Sequence, residues 1–176
     1  QLLCGECLKR APYFDHTLCG YLYRQPFSLF IQRMKFSGSL QFATLLAELH
    51  AEYIVSSEAP LPELIVPVPL HFARMRERGF NQALELSRLL SQQLALPYSV
   101  ELCSRHRSVP AQRGLSAKQR RVNLRDAFMV KSLQGVSHIA LVDDVMTTGS
   151  TFNELAKAFK RAGVSQVDVW PMARAL

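Results

Sequence analysis

The sequence predicts an α/β fold in which a doubly wound, mostly parallel sheet is flanked by helices. Three observations carry this. Short runs rich in Val, Ile and Leu, at residues 64–68, 139–142 and 164–172, alternate with stretches of helical period, the order that builds parallel sheets. The run at 139–142 is apolar without alternation, as a strand buried on both faces must be. At 176 residues and 48% hydrophobic, the chain is long enough for one domain with a sizeable core.

Taken in order, residues 1–20 form a small appendage holding Cys4, Cys7 and Cys19, ahead of a main domain at 21–176. Residues 17–23 read as a strand, rich in aromatics with partial alternation. Phe27, Phe30, Ile31 and Met34 recur at helical spacing, so Pro26 is expected to open a short amphipathic helix with Arg33 and Lys35 on its exposed side. A second helix is expected over 40–54, where Ala43, Leu46, Ala47, His50 and Tyr53 are regularly spaced. The Pro-containing stretch 59–62 links it to the strand at 64–68. A helix over 80–94 follows, with Phe80, Ala83, Leu84, Ser87, Leu90 and Leu94 along one face, and then a strand over 98–103. Residues 104–116 have no strong period, and aperiodic loops of that length in a domain are usually functional. Ser116 is placed to cap a short helix, and 127–130 reads as another strand. Helical spacing over 152–159 is stopped by Gly163, and Val167 and Val169 alternate in the last strand.

The net charge of +7 is unevenly spread. Arg105, Arg107, Arg113, Lys118, Arg120, Arg121 and Arg125 fall in a segment without acids, and Arg74, Arg76 and Arg78 have only Glu77 against them. Such clusters imply a polyanion, either a pyrophosphate or a nucleic-acid backbone. The second cluster directly follows the strand at 64–68, at the edge where open α/β sheets bind ligands. No run approaches the roughly 18 to 20 apolar residues that span a bilayer, and no secretory signal is visible. The expectation is a cytoplasmic protein without membrane insertion.

The most informative segment joins the apolar run 139–142 to Asp143, Asp144 and the turn Thr147, Thr148, Gly149, Ser150 and Thr151. Backbone N–H groups at a helix start, with hydroxyls beside them, make a phosphate cradle. Gly149 suits a loop whose backbone must approach closely or adopt a positive φ. Carboxylates next to such a cradle suggest a sugar phosphate: the loop takes the phosphate, and the acids take ribose hydroxyls or a Mg²⁺ ion. Neither a Walker P-loop nor a G-x-G-x-x-G fingerprint occurs.

This segment resembles the ribose-phosphate signature of type I phosphoribosyltransferases, which bind phosphoribosyl pyrophosphate (PRPP). Together with the run Arg78-Gly79-Phe80-Asn81-Gln82 and the segment 112–128, it makes the chain resemble the ComF/GntX family, phosphoribosyltransferase-like proteins tied to DNA uptake in natural competence. The resemblance implies a type I phosphoribosyltransferase-like fold. It implies Mg²⁺-dependent PRPP chemistry in which Asp143 and Asp144 orient the ribose and Thr147 to Thr151 hold the 5′-phosphate. Arg74, Arg76 and Arg78 are the implied pyrophosphate ligands. Asn81 and Gln82 either reach ligand or are polar residues of a helix start. The basic segment with Arg105, Arg107, Arg113, Arg120 and Arg121 resembles a lid that closes over PRPP, and it also suits a nucleic-acid backbone.

Cys4-x-x-Cys7 has the spacing of a zinc knuckle but supplies only half a site. Three completions are open: an upstream C-x-x-C of the kind the family carries, a local site with His16-x-x-Cys19, or no metal. Three functions stand side by side. The first is a ComF-type PRPP-binding protein serving uptake of transforming DNA, with single-stranded DNA and other uptake proteins as partners. The others are a nucleobase salvage transferase and a nucleic-acid-binding module that kept the fold and lost catalysis. The sequence names no acceptor.

Overall fold

The computed structural model describes residues 7–8, 11–37, 39–70, 75–76, 79–106, 127–131, 133 and 135–175. Among these, the chain runs through β1 (His16–Thr17), α1 (Phe27–Ser37), α2 (Leu40–Ser56), β2 (Leu64–Pro67), α3 (Gln82–Leu94), β3 (Cys103–Arg105), β4 (Phe128–Val130), β5 (His138–Met146), α4 (Ser150–Arg161) and β6 (Gln166–Arg174). The main sheet has the order β1-β6-β5-β2, and each of its pairings is parallel. β3 and β4 form a separate antiparallel pair. No helix among the described residues is long and apolar enough to cross a membrane.

The strand period of two divides the core between the two faces of the sheet. From β5, Ile139 and Leu141 pack with Phe152, Leu155, Ala156 and Phe159 of α4. Those four recur at i, i+3, i+4 and i+7, the stripe that seats a helix on a sheet. Ala140 and Val142 turn to the opposite side, against Ile31 and Met34 of α1, Leu46 and Ala47 of α2, and Leu86 and Leu90 of α3. Both faces of β5 are thus covered, which is why its apolar run lacks alternation.

Local chemistry sets the helix ends. Leu29 and Phe30 donate their N–H groups to the Pro26 carbonyl, so α1 starts where the proline was expected to open it. Asn81 caps α3: its Oδ1 accepts from Ala83 N at 3.0 Å, and its Nδ2 donates to Val68 O at 3.2 Å. Asn81 is the residue that starts α3. α4 stops at Arg161, with Gly163 at φ +97° just beyond it.

Three sequence expectations change. The strand expected over 17–23 shrinks to β1 and an isolated bridge between Leu22 and Arg174. Between them Gly20 lies against the Tyr53 ring, where an added Cβ would come within 2.9 Å of Cγ. Beside β1, Asp15 N and Leu18 N donate to Val167 O and Val169 O of β6. The strand expected over 98–103 reduces to a bridge from Tyr98 to Ile65, followed by β3. β5 runs on to Met146, so Asp143 and Asp144 lie inside the strand rather than after its end. Tyr53 is half-buried, and His50 is fully buried in α2 with no hydrogen-bond partner for either ring nitrogen among the described residues. Burial pushes its pKa down to about 4.

Candidate functional site

β5 delivers the chain to the C-terminal edge of the parallel sheet, where Thr147, Thr148 and Gly149 make the turn into α4. Gly149 holds φ +72° as the residue before the helix, and no side chain caps the helix from that position. The N–H groups of the first helical turn have no acceptor within the helix itself. The nearby hydroxyls bond locally: Thr148 Oγ1 and Ser150 Oγ are 2.8 Å apart, and Ser150 N donates to Thr148 Oγ1 at 3.4 Å. An added Cβ on Gly149 would meet Met146 Cε at 2.6 Å and lie 4.0 Å from Arg174 Nη1.

Asp143, Val145, Met146, Thr147, Thr148, Gly149, Ser150, Thr151 and Phe152 line one small cavity of about 70 Å³. Pockets that swallow a whole small molecule hold roughly 300–1,000 Å³. This one suits a single anionic group, with the rest of a ligand lying across the open sheet edge. A larger concavity of about 290 Å³, between β4 and α4, is lined by Glu154, Lys157 and Arg161 but by no residue of the loop. The residues of the loop line the smaller of these two cavities.

The two acids part company. Asp143 lines the cavity, and its Oδ1 accepts from Asp144 N at 2.8 Å. Asp144 follows Ala140 and Val142 on the other face and meets Lys35 of α1, Nζ to Oδ2 2.8 Å. Lys35, expected on the exposed side of its helix, is largely covered there. A signal for this was present, since Ile31, Met34 and Lys35 fall at i, i+3 and i+4 of one helix stripe. Arg174, which pairs in register with Met146, was not legible as a neighbour of the loop, because only the β5–β6 ladder brings it there.

The donor set fits a Mg²⁺ ion that arrives on a phosphorylated sugar, because a carboxylate and hydroxyls in one cavity are hard oxygen ligands. It does not make a freestanding cation site: one carboxylate is held by a lysine, and no three His, Cys, Asp or Glu groups converge among the described residues.

The other expected positions are spread more widely. Arg76 is exposed in a helical turn after β2, whose strand is parallel to β5 and in register with it from Leu64–Ile139 to Pro67–Val142. That register brings Val68, just past β2, beside Asp143. Arg105 belongs to β3, and its guanidinium stacks 5.8 Å from the centroid of the Phe128 ring. The basic run thus begins inside a strand rather than in a loop. Arg74, Arg78, Arg107, Arg113, Arg120, Arg121 and Cys4 lie outside the described residues. Cys7 is half-buried. Cys19 donates to Tyr21 O at 3.5 Å, and burial raises its pKa, with smaller opposing effects from that bond and from Arg174. Burial likewise pushes Cys103 up to about 12, which makes it an inert core thiol.

No family model matches the chain. Over 181 residues it is 42% identical to competence protein F of Haemophilus influenzae, covering 98% of this chain and 78% of that protein. It is 37% identical over 182 residues to DNA utilization protein YhgH of Escherichia coli, covering 100% of this chain and 79% of that one. With competence protein ComFC of Streptococcus pneumoniae it shares 30% identity over 160 residues, 88% of this chain and 66% of the other. Overlaps with solved structures are looser. A glutamine PRPP amidotransferase from B. subtilis gives a TM-score of 0.48 at 17% identity, over 74% of this chain and 26% of that one. A Trypanosoma cruzi hypoxanthine phosphoribosyl transferase gives 0.42 at 12% identity, over 84% and 74%.

Proposed function

The chain belongs to the ComF family, that of competence protein F and its relatives, and from this premise we propose that it binds PRPP and serves DNA uptake in the cytoplasm. The observation that supports the PRPP reading best is one cavity that unites Asp143 with the Gly149 turn and the start of α4. A 5′-phosphate seated there receives N–H groups from Ser150 to Phe152 and hydroxyls from Thr147, Thr148 and Thr151. Asp143 lies in the same cavity, within the span of the attached ribose, and takes its hydroxyls.

In the finer reading the bound PRPP gives its phosphoribosyl group to an acceptor. The bond from ribose C1 to pyrophosphate breaks while positive charge grows on the ring, and a fixed carboxylate near the ring favours that charge. Bound Mg²⁺ supplies charge neutralisation of the leaving pyrophosphate. Arg76 and the neighbouring arginines of its loop steer the same group electrostatically.

Calorimetric titration of PRPP with and without Mg²⁺ tests the reading. The Asp143→Asn/Asp144→Asn double variant is expected to remain folded and to lose Mg²⁺-dependent binding. Unchanged affinity in a well-folded double variant sinks the assignment. Radiolabelled PRPP, screened against candidate acceptors, then tests transfer separately.

A second reading, direct contact with single-stranded DNA, is favoured by the acid-free basic run from Arg105 to Arg125. Such binding tracks the backbone and weakens steeply with salt. Its test is a fluorescence titration of labelled oligonucleotide over a salt series. No binding at low salt removes it.

A further inference from the structure

The loop cavity carries little positive charge of its own. Its lining holds one carboxylate, Asp143, and no lysine or arginine among the described residues. A phosphate monoester brings close to two further negative charges at neutral pH. The start of α4 answers with only the partial positive charge of a helix end. Lys35, on the other face of β5, is already paired with Asp144.

Arg174 is a fixed cation beside this loop. It closes β6 and pairs in register with Met146, a residue of the cavity lining. Its Nη1 lies 4.0 Å from the point that a Cβ on Gly149 would occupy, and Met146 Cε lies 2.6 Å from the same point. The guanidinium thus flanks the Gly149 turn just outside the cavity wall, close enough to act across the turn by its field. Its backbone is held on both sides. Arg174 N donates to Tyr21 O at 2.9 Å, Arg174 O accepts from Tyr23 N at 2.7 Å, and Ala175 N donates to Met146 O at 2.9 Å. The side chain is half-buried, which limits screening, and no carboxylate among the described residues lies within ion-pair distance of it. Its charge is felt nearby: burial raises the Cys19 pKa, and the bond to Tyr21 O and the Arg174 charge oppose the rise.

We infer that Arg174 is a positioning residue of the phosphate site: a guanidinium fixed beside the Gly149 turn supplies the full positive charge that the cavity lining lacks, and so favours a dianionic phosphate monoester at the start of α4. The inference rests on the PRPP reading above for the identity of the ligand, but its test needs only a phosphorylated sugar. A field acts in proportion to the charge it meets, so the effect follows the ionisation of the phosphate. A merely loosened structure does not reproduce that.

The experiment titrates the intact chain with ribose 5-phosphate in the presence of a chelator, at about pH 7.5 and about pH 5, using Arg174→Gln and Arg174→Lys. The second phosphate proton leaves near pH 6, so the ligand carries about two charges in the first case and about one in the second. Arg174→Gln is expected to weaken binding about tenfold at the higher pH and only about threefold at the lower, since the logarithm of the loss follows the charge. Asp143 in the cavity, Cys19 beside the guanidinium, and the Lys35–Asp144 pair across the strand are the other ionisable groups at hand, and they are the same in every variant. Arg174→Lys keeps the charge and stays close to the parent at both pH values. PRPP under the same conditions loses at least as much affinity in Arg174→Gln. If Arg174→Gln does not fold, Arg174→Met, which keeps an apolar stem and loses the charge, gives the same reading. A folded charge-free variant with parental affinity, an equal loss at both pH values, or an equal loss in Arg174→Lys overturns the inference. A parent chain that binds ribose 5-phosphate but not PRPP removes the PRPP reading, and the ribose 5-phosphate titrations still decide the part played by Arg174. A parent chain that binds neither overturns both.

Discussion

At its N-terminal end β5 opens with His138, whose Nε2 lies 2.9 Å from Asp168 Oδ2 on β6, and Gln166 Nε2 adds a bond to Asp168 Oδ1 at 3.3 Å. Around them Glu63 accepts from the Ser137 hydroxyl and N–H, and Asp15 accepts from Val167 N and Lys160. Each of these acids is answered by a donor from another element. At the C-terminal end of the same strand the pattern differs. Asp144 is answered by Lys35 of α1, but the loop hydroxyls of Thr148 and Ser150 bond each other, the residue before α4 is a glycine that offers no capping side chain, and Asp143 lines a cavity. One end of the sheet is a closed polar network that joins strands together. The other holds donors and acceptors that converge on space. Parallel sheets tend to bind ligands beyond their carboxyl ends, and the contrast gives that tendency a local cause here.

The largest expected effect sharpens the contrast at the closed end. Asp168→Ala leaves His138 without its buried partner and is expected to cost about 3 kcal/mol of unfolding free energy. Urea denaturation measures the cost. PRPP affinity of the folded fraction is expected to stay unchanged, and a loss of affinity would mean that the two ends are coupled.

His50 belongs to neither end and tests what an unanswered buried histidine does. Its folded pKa of about 4 lies below the ordinary 6.5, so the unfolded chain takes the proton first as pH falls. The stability from its burial is complete above pH 6.5 and drains away as pH falls through 4, by about 3 kcal/mol in all. Denaturation curves across that window are expected to lose this slope in His50→Leu.

Smaller effects probe the open end. Gly149→Val forces a β-branched residue to φ +72°, and the Met146 methyl, being the far end of a flexible chain, can swing clear of the new Cβ. Backbone strain therefore dominates and is expected to weaken PRPP binding by about 2 kcal/mol, roughly thirtyfold, in calorimetry. Thr148→Ala removes one hydroxyl and is expected to cost only about 1 kcal/mol of affinity. If Thr148→Ala proved the more damaging of the two, the cradle would depend on side-chain hydroxyls rather than on the backbone.

Much of the open end was legible in the sequence because its parts are contiguous. An apolar strand, an acidic pair, a glycine turn and an amphipathic helix follow one another from Ile139 to Phe159, and each is set by local period or by backbone conformation. The same holds for α1 starting after Pro26 and for Gly163 beyond the last helix. These depend on residues within a turn or two of each other, where spacing is enough to read the outcome.

Other features were decided only when distant segments met. β1 exists as a strand because β6 offers it a ladder, although residues 15–18 have little strand character of their own. Asp143 and Asp144 look equivalent in the sequence, but adjacent strand residues point to opposite faces, and only one face carries α1. Which acid meets Lys35 and which meets the loop cavity follows from that layering. Arg174 comes beside Gly149 by register alone. The physical reason is common to all three: a strand's period is a property of its own backbone, whereas the charge facing each side chain is supplied by whichever element the sheet brings against it.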